Sequence, residues 1–184
     1  MKRTFKIFSI AATLMSSLVL VGCAADSQRP AEQQSVDLAA EVGAASQVMV
    51  QQLGQGLVKD RTILSTSFAN IDNLQSSSTL GRLIGDTLAG DLVAKGFNVV
   101  EVRLRNSLYM QPRLGEFMLS RELRNVSMEH DAQAVLVGTY AVGGEFVYVN
   151  ARLVDVISSR VLSSHDFRLP LNRDIRKMLV NSSR

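Results

Sequence analysis

Few residues in this chain have the chemistry of a reactive site. Cys23 is the only cysteine, and His130 and His165 are the only histidines, in 184 residues. A single thiol cannot form an internal disulfide. The histidines have acidic neighbours, in Glu129-His130-Asp131 and His165-Asp166, which raises the question of a metal site. Sequence neighbours point in different directions on a helix or a strand, so each group offers one ligand per face and no metal is expected. Asp86 and Asp91, five residues apart in a helical stretch, share a face too poorly to work as a carboxylate pair. Asp155 precedes a turn and is expected to fix it. There is no phosphate-cradling GxxxxGK, no GxSxG elbow, no HExxH and no CxxC. The sequence thus predicts no catalytic residue, no cofactor and no enzymatic activity.

Cys23 has a telling setting. Lys2, Arg3 and Lys6 are followed by an uncharged stretch from Ile7 to Gly22, the pattern of an export signal. Its 16 residues fall short of the roughly 20 that a membrane-spanning helix needs. The stretch ends in Leu20-Val21-Gly22-Cys23, which resembles the lipobox, the site where a thiolate accepts a diacylglycerol and cleavage leaves the cysteine at the new N-terminus. A covalent lipid on Cys23 is therefore expected, with residues 1–22 removed. Two or more acyl chains hold a protein stably on a membrane, whereas one does so only marginally. Aspartate directly after the cysteine favours retention in the inner membrane; this position is Ala24, so the outer membrane, facing the periplasm, is predicted.

The chain has 20 Lys and Arg against 17 Asp and Glu, but Lys2, Arg3 and Lys6 lie in the segment to be removed, leaving 17 against 17. A nucleic-acid partner thereby loses its electrostatic support. Arg103, Arg105, Arg113, Arg121 and Arg124 remain as a candidate basic face, read chiefly as solvated positions on a strand and a helix. Without the signal 162 residues remain, enough for one domain over 37–184, preceded by a polar tether over 23–36.

Apolar spacing defines the elements. Leu38, Val42, Ala45, Met49 and Leu53 predict a helix from Asp37, its N-cap, to about Val58, with Gly54 and Gly56 at its end. Arg61 to Phe68 reads as a strand and Asn70 to Ser78 as a loop. Leu80, Leu83, Ile84, Leu88 and Leu92 predict a second helix over Thr79 to Lys95, stopped by Gly96, with Gly81, Gly85 and Gly90 as close helix-to-sheet contacts. Phe97 to Leu104 reads as an interior strand. A third helix is expected to open at Pro112 and carry Phe117, Leu119, Leu123 and Val126. From Ala134 to Leu169 three strand-like runs are separated by Gly143-Gly144 and by Ser158-Ser159-Arg160, a three-stranded antiparallel meander. In its middle strand Val147, Val149, Ala151 and Leu153 point one way, and Tyr148, Asn150 and Arg152 the other. The second set is a candidate interaction face. The whole predicts an α/β (α+β) sandwich with a mixed sheet of about five strands and two to three helices.

Two stretches, Arg82-Leu83-Ile84-Gly85-Asp86-Thr87-Leu88-Ala89-Gly90-Asp91 running on to Glu101, and Asp131-Ala132-Gln133-Ala134-Val135-Leu136-Val137-Gly138-Thr139-Tyr140 with Ala151-Arg152-Leu153-Val154-Asp155-Val156, resemble the FlgO family of flagellar outer-membrane lipoproteins, over roughly Arg61 to Leu171. The resemblance implies a non-enzymatic accessory role in flagellum assembly, outer-membrane passage or motility. It implies partners in the flagellar basal structure, with a homo-oligomer built through sheet edges as a further possibility. The Ala151 to Val156 hairpin is also similar to hairpins of curli-secretion lipoproteins and of lipoprotein activators of penicillin-binding proteins, whose turn often carries Thr-Gly where this chain has Ser158-Ser159. A regulator of a cell-wall synthase, or a curli-type secretion lipoprotein, is the alternative.

Overall fold

The computed structural model describes residues 37–54, 56–104, 107–110 and 117–180; Leu20, Val21, Gly22 and Cys23, with the signal and tether, lie outside the described residues. Helix α1 spans Leu38–Leu53, and the Asp37 carboxylate caps it by accepting from the Ala40 N–H at 3.1 Å. It stops at Gly54, whose φ of 52° favours glycine, and so ends short of Val58. Helix α2 spans Thr79–Ala94, with the Ser78 hydroxyl accepting from the Gly81 N–H at 3.1 Å, and Gly96 at φ 86° ends that turn.

The sheet is open and mixed. Strands β1 (Thr62–Thr66) and β3 (Asn98–Val102) pair in parallel, β1 also runs parallel to β6 (Ala134–Val142), and the two-residue β2 (Ala69–Asn70) extends that pairing along β6. Strands β7 (Phe146–Asp155) and β8 (Val161–Pro170) complete the antiparallel meander, giving the order β3-β1-β6-β7-β8. A separate hairpin joins β4 (Leu108–Met110) to β5 (Phe117–Leu119). Helices α3 (Arg121–Glu129) and α4 (Arg173–Val180) bring the described helices to four and the main sheet to six strands, an α+β sandwich as the sequence predicts, with more elements than it predicts.

Two cores lie on opposite faces of the sheet. One joins Val42, Met49 and Leu53 of α1, Leu80, Ile84 and Leu88 of α2 and Ile175 of α4 to Leu136, Val147, Val149 and Leu169. The other places Leu108, Leu119 and Leu123 over Leu64, Val135, Val137 and Val154. The alternation of β7 follows the expected pattern: Val147, Val149, Ala151 and Leu153 are buried against the helices.

Three expectations need correction. Strand β3 is an edge and not an interior strand: Val99 and Val100 are half-buried on opposite faces, while Asn98 and Glu101 are exposed. The third helix does not carry Phe117 or Leu119, which belong to β5; it begins at Arg121 after Ser120, whose hydroxyl accepts from the Leu123 N–H at 3.1 Å, and Pro112 lies outside the described residues. Gly90 is no contact point, because a Cβ there would meet nothing within 4 Å. Gly81 and Gly85 are contact points, since a Cβ would lie 2.3 Å from the Phe68 carbonyl and 2.6 Å from the Thr66 carbonyl. Their missing side chains let α2 press on the β1–β2 junction, where the Phe68 N–H donates to the Gly81 carbonyl at 3.0 Å.

Buried Gln133 ties the 57–61 loop to the sheet. Its Oε1 accepts from the Val58 N–H at 2.9 Å, and its Nε2 donates to the carbonyls of Val58 and of Arg61, the latter at 2.9 Å. The amide thus acts as an extra rung of backbone pairing. Gln133→Ala, which strands the Val58 N–H and the Arg61 carbonyl while the Val58 carbonyl keeps the Arg61 N–H at 3.2 Å, is expected to cost about 2 kcal/mol in urea unfolding. An unchanged midpoint would mean that water replaces the rung.

Candidate functional site

The side chains of Tyr148, Asn150 and Arg152 stand on the sheet face opposite α1 and α2. Register places Thr139 and Ala141 of β6 on one side of them and Asp166 and Arg168 of β8 on the other, Thr139 opposite Asn150 and Arg168 opposite Tyr148. With Ile71 these residues line an open groove of about 560 Å³. Tyr148 is 53% exposed, unusual for so large a ring in the middle of three strands. The structure therefore brings together the three residues singled out by alternation alone.

The groove has internal order. The Asn150 amide donates to the Asp166 carboxylate, so this acid is already engaged. Arg168 lies over the Phe146 ring, its guanidinium carbon 4.5 Å from the centroid, a cation–π contact. The Phe146 and Tyr148 rings are 6.4 Å apart and tilted. The ion pairs among the described residues are Arg61–Asp131 and Arg103–Asp86, both at 3.2 Å, so Arg152 and Arg168 keep their guanidinium edges for other acceptors. The same face farther along is covered by β4–β5 and α3, where Leu108, Leu119, Asn150, Arg152 and Val154 border a smaller cleft.

The other candidates separate. Arg103 pairs with Asp86, Arg121 and Arg124 lie on α3, and Arg105 and Arg113 lie outside the described residues. Asp91 is far from Asp86 in environment: its Oδ2 is buried beside Gly43 without a hydrogen-bond partner. His165 stacks on Phe167 at 6.4 Å, and His130 caps the end of α3. Among the described residues no three of His, Cys, Asp and Glu gather into a metal-binding group, and no helix is long and apolar enough to cross a membrane.

Asp155 has the structural role expected of it. Its carboxylate accepts from the Ser158 N–H at 2.6 Å, the Ser158 hydroxyl at 2.7 Å and the Ile157 N–H at 3.1 Å, closing the β7–β8 turn. The Ser158 backbone N–H first, then its hydroxyl, holds the carboxyl below its ordinary value. A lowered carboxyl contributes stability that is present above the unfolded value, about pH 4, and is lost as pH falls through the folded value. Asp155→Asn is expected to cost about 1 kcal/mol at neutral pH and to flatten this acid-side loss. Thermal melts between pH 7 and pH 2.5 read both; parallel curves for the two proteins would contradict the assignment.

Fold and groove together define an α+β domain with one helix-covered face and one half-open side that carries the groove. The sequence model of the FlgO protein family matches residues 43–174, and the chain belongs to the FlgO family. Among solved structures, the C-terminal domain of LpoB from Salmonella enterica is similar at TM-score 0.50 and 16% identity, covering 72% of this chain and 98% of that one. The PelC dodecamer from Paraburkholderia phytofirmans gives TM-score 0.41 and 21% identity over 62% of this chain and 74% of that one. A lipoprotein from Neisseria meningitidis gives 0.35 and 17% over 65% and 92%. These likenesses concern the fold alone. No match was found among the curated proteins.

Proposed function

We propose that the chain is a lipid-anchored accessory protein of the outer membrane, facing the periplasm and without enzymatic activity, that serves flagellum assembly, outer-membrane passage or motility. Membership of the FlgO family over 43–174 carries this reading. The export signal and the lipobox at Cys23 support the anchor. The groove around Tyr148, Asn150 and Arg152 supplies the docking face, with an exposed ring at its centre and two guanidinium edges beside it. Tyrosine and arginine are the residues that most often anchor protein contacts.

Deleting the gene is expected to impair swimming, and the wild-type chain to restore it. A Tyr148→Ala, Arg152→Glu chain that accumulates to the same level is expected to restore it poorly. Unchanged swimming and flagellation in the deletion strain would sink the reading. The second reading, a regulator of a cell-wall synthase, draws on the similarity of the Ala151 to Val156 hairpin to such lipoproteins. It needs a tether that reaches toward the peptidoglycan, for which the 13 residues from Ala24 to Val36 are short. Pull-down with a penicillin-binding protein discriminates the two.

A further inference from the structure

A second surface, apart from the groove, combines exposed aliphatic side chains with arginine. Arg121, Arg124, Asn125 and Met128 occupy positions i, i+3, i+4 and i+7 of α3 and so form one stripe along it. Beside the stripe runs the β7–β8 turn, and Arg121, Arg124, Met128, Val156 and Ile157 line one shallow depression of about 430 Å³. Ile157 is 90% exposed and Met128 71%, the first at the tip of a turn whose backbone Asp155 fixes from within. An isoleucine held out at such a tip gains nothing from the fold.

The charged side chains that line this depression are both arginines. Asp155 is turned inward, accepting from its own turn. Glu122 and Glu129 lie outside the depression, about 100° round the helix from Arg121 and Met128, and border the stripe on its Asn125 side. The Arg124 Nε is buried without a hydrogen-bond partner, so the side chain is held down against the domain and not spread into solvent. Aliphatic tips rimmed by arginine match a phospholipid leaflet, whose acyl boundary takes the first and whose anionic headgroups take the second.

We propose that the α3 stripe and the β7–β8 turn rest on a leaflet containing anionic phospholipid, so that the domain touches the membrane at two places, the acylated Cys23 and the Ile157 tip. The proposal rests on the lipid-anchor reading. Chain length allows it: the 13 residues of the tether span up to about 45 Å, against about 33 Å for the ten residues of β7, so either end of the sheet comes within reach of the bilayer.

The test uses the full processed lipoprotein, in which Cys23 carries lipid and an introduced cysteine is the only free thiol. Ile157→Cys and, as a control on the helical side, Val93→Cys are each labelled with an environment-sensitive dye and reconstituted in vesicles. The expected result is a blue shift at 157 and a more than twofold drop in iodide quenching in phosphatidylethanolamine–phosphatidylglycerol vesicles. The control stays quenchable, and Arg121→Glu with Arg124→Glu abolishes the protection at 157. A floated chain whose 157 label is as quenchable as the control overturns this proposal and leaves the anchor intact. Failure of the chain to float with vesicles at all defeats the anchor and the proposal together. Protection in vesicle-free detergent that grows with protein concentration assigns the patch to a second copy and also overturns it.

Discussion

Replacing Gly138 with alanine is expected to lower the thermal midpoint of the domain by about 10 °C, the equivalent of about 3 kcal/mol. Gly138 lies in the middle of β6 on the face that packs against α1 and α2, opposite Ala151 of β7. A Cβ there would come within 2.1 Å of Phe68 Cε2 and 2.3 Å of Cδ2. The ring fills the position that a side chain at 138 would occupy, and it is fully buried. The ring has little room to move, because it is packed in the helix-side core with Leu80, Ile84 and Leu136 while the Phe68 backbone is held by the Ser77 hydroxyl at 2.7 Å. Phe68→Ala alone is expected to cost about 4 kcal/mol by leaving a cavity. The double variant should lose less than the sum of the two, since removing the ring relieves the clash; strict additivity in urea melts would show that the two sites are independent.

Cys23→Ser is expected to abolish attachment to the outer membrane. The thiolate is the acyl acceptor at a lipobox, and a hydroxyl does not replace it. The loss is large: one acyl chain binds a membrane with a constant of only about 10⁴ M⁻¹, two or more bind it stably, and the serine variant carries none. Sucrose-gradient fractions should show the wild type with the outer membrane and the variant absent from it. Mass spectrometry of the mature wild type should show an acylated N-terminal cysteine. An unmodified thiol, or a serine variant that fractionates like the wild type, contradicts the anchor.

The elements with strong period and clear punctuation were legible in the sequence. Asp37 caps α1, glycines follow α1 and α2, and the Gly143-Gly144 break sets the β6–β7 hairpin. The alternation in β7 alone located Tyr148, Asn150 and Arg152 on a single face. Less visible were pieces whose type depends on partners far away in sequence. Strands β4 and β5 have three residues each, too few to show a period, so the apolar Phe117 and Leu119 read as part of the helix that follows them. Val99-Val100 looks like an interior strand because both faces of β3 are half-covered, yet no sequence pattern says that among the described residues no strand pairs on its far side. Helix α4 escaped notice because it is eight residues long, although Asn172, whose Oδ1 accepts from Asp174 N–H and Ile175 N–H, is the capping signal that marks it. Arg168 and Ile71 joined the groove through register and a loop, which alternation within a single strand cannot show.

The treatment of the two sheet edges bears on assembly. At β8 the Ser164 N–H donates to the Gln52 side chain of α1 at 3.0 Å, and the Ser163 hydroxyl donates to the Met49 carbonyl at 2.8 Å. A helix thus covers β8 at Ser163 and Ser164, while among the described residues the β3 border carries Asn98 and Glu101 as deterrents. Head-to-tail polymers require two complementary open borders, and the helix at Ser163 and Ser164 interrupts the one at β8. Strand addition from copy to copy is thereby disfavoured at β8, which guards a concentrated population of the chain against fibre growth.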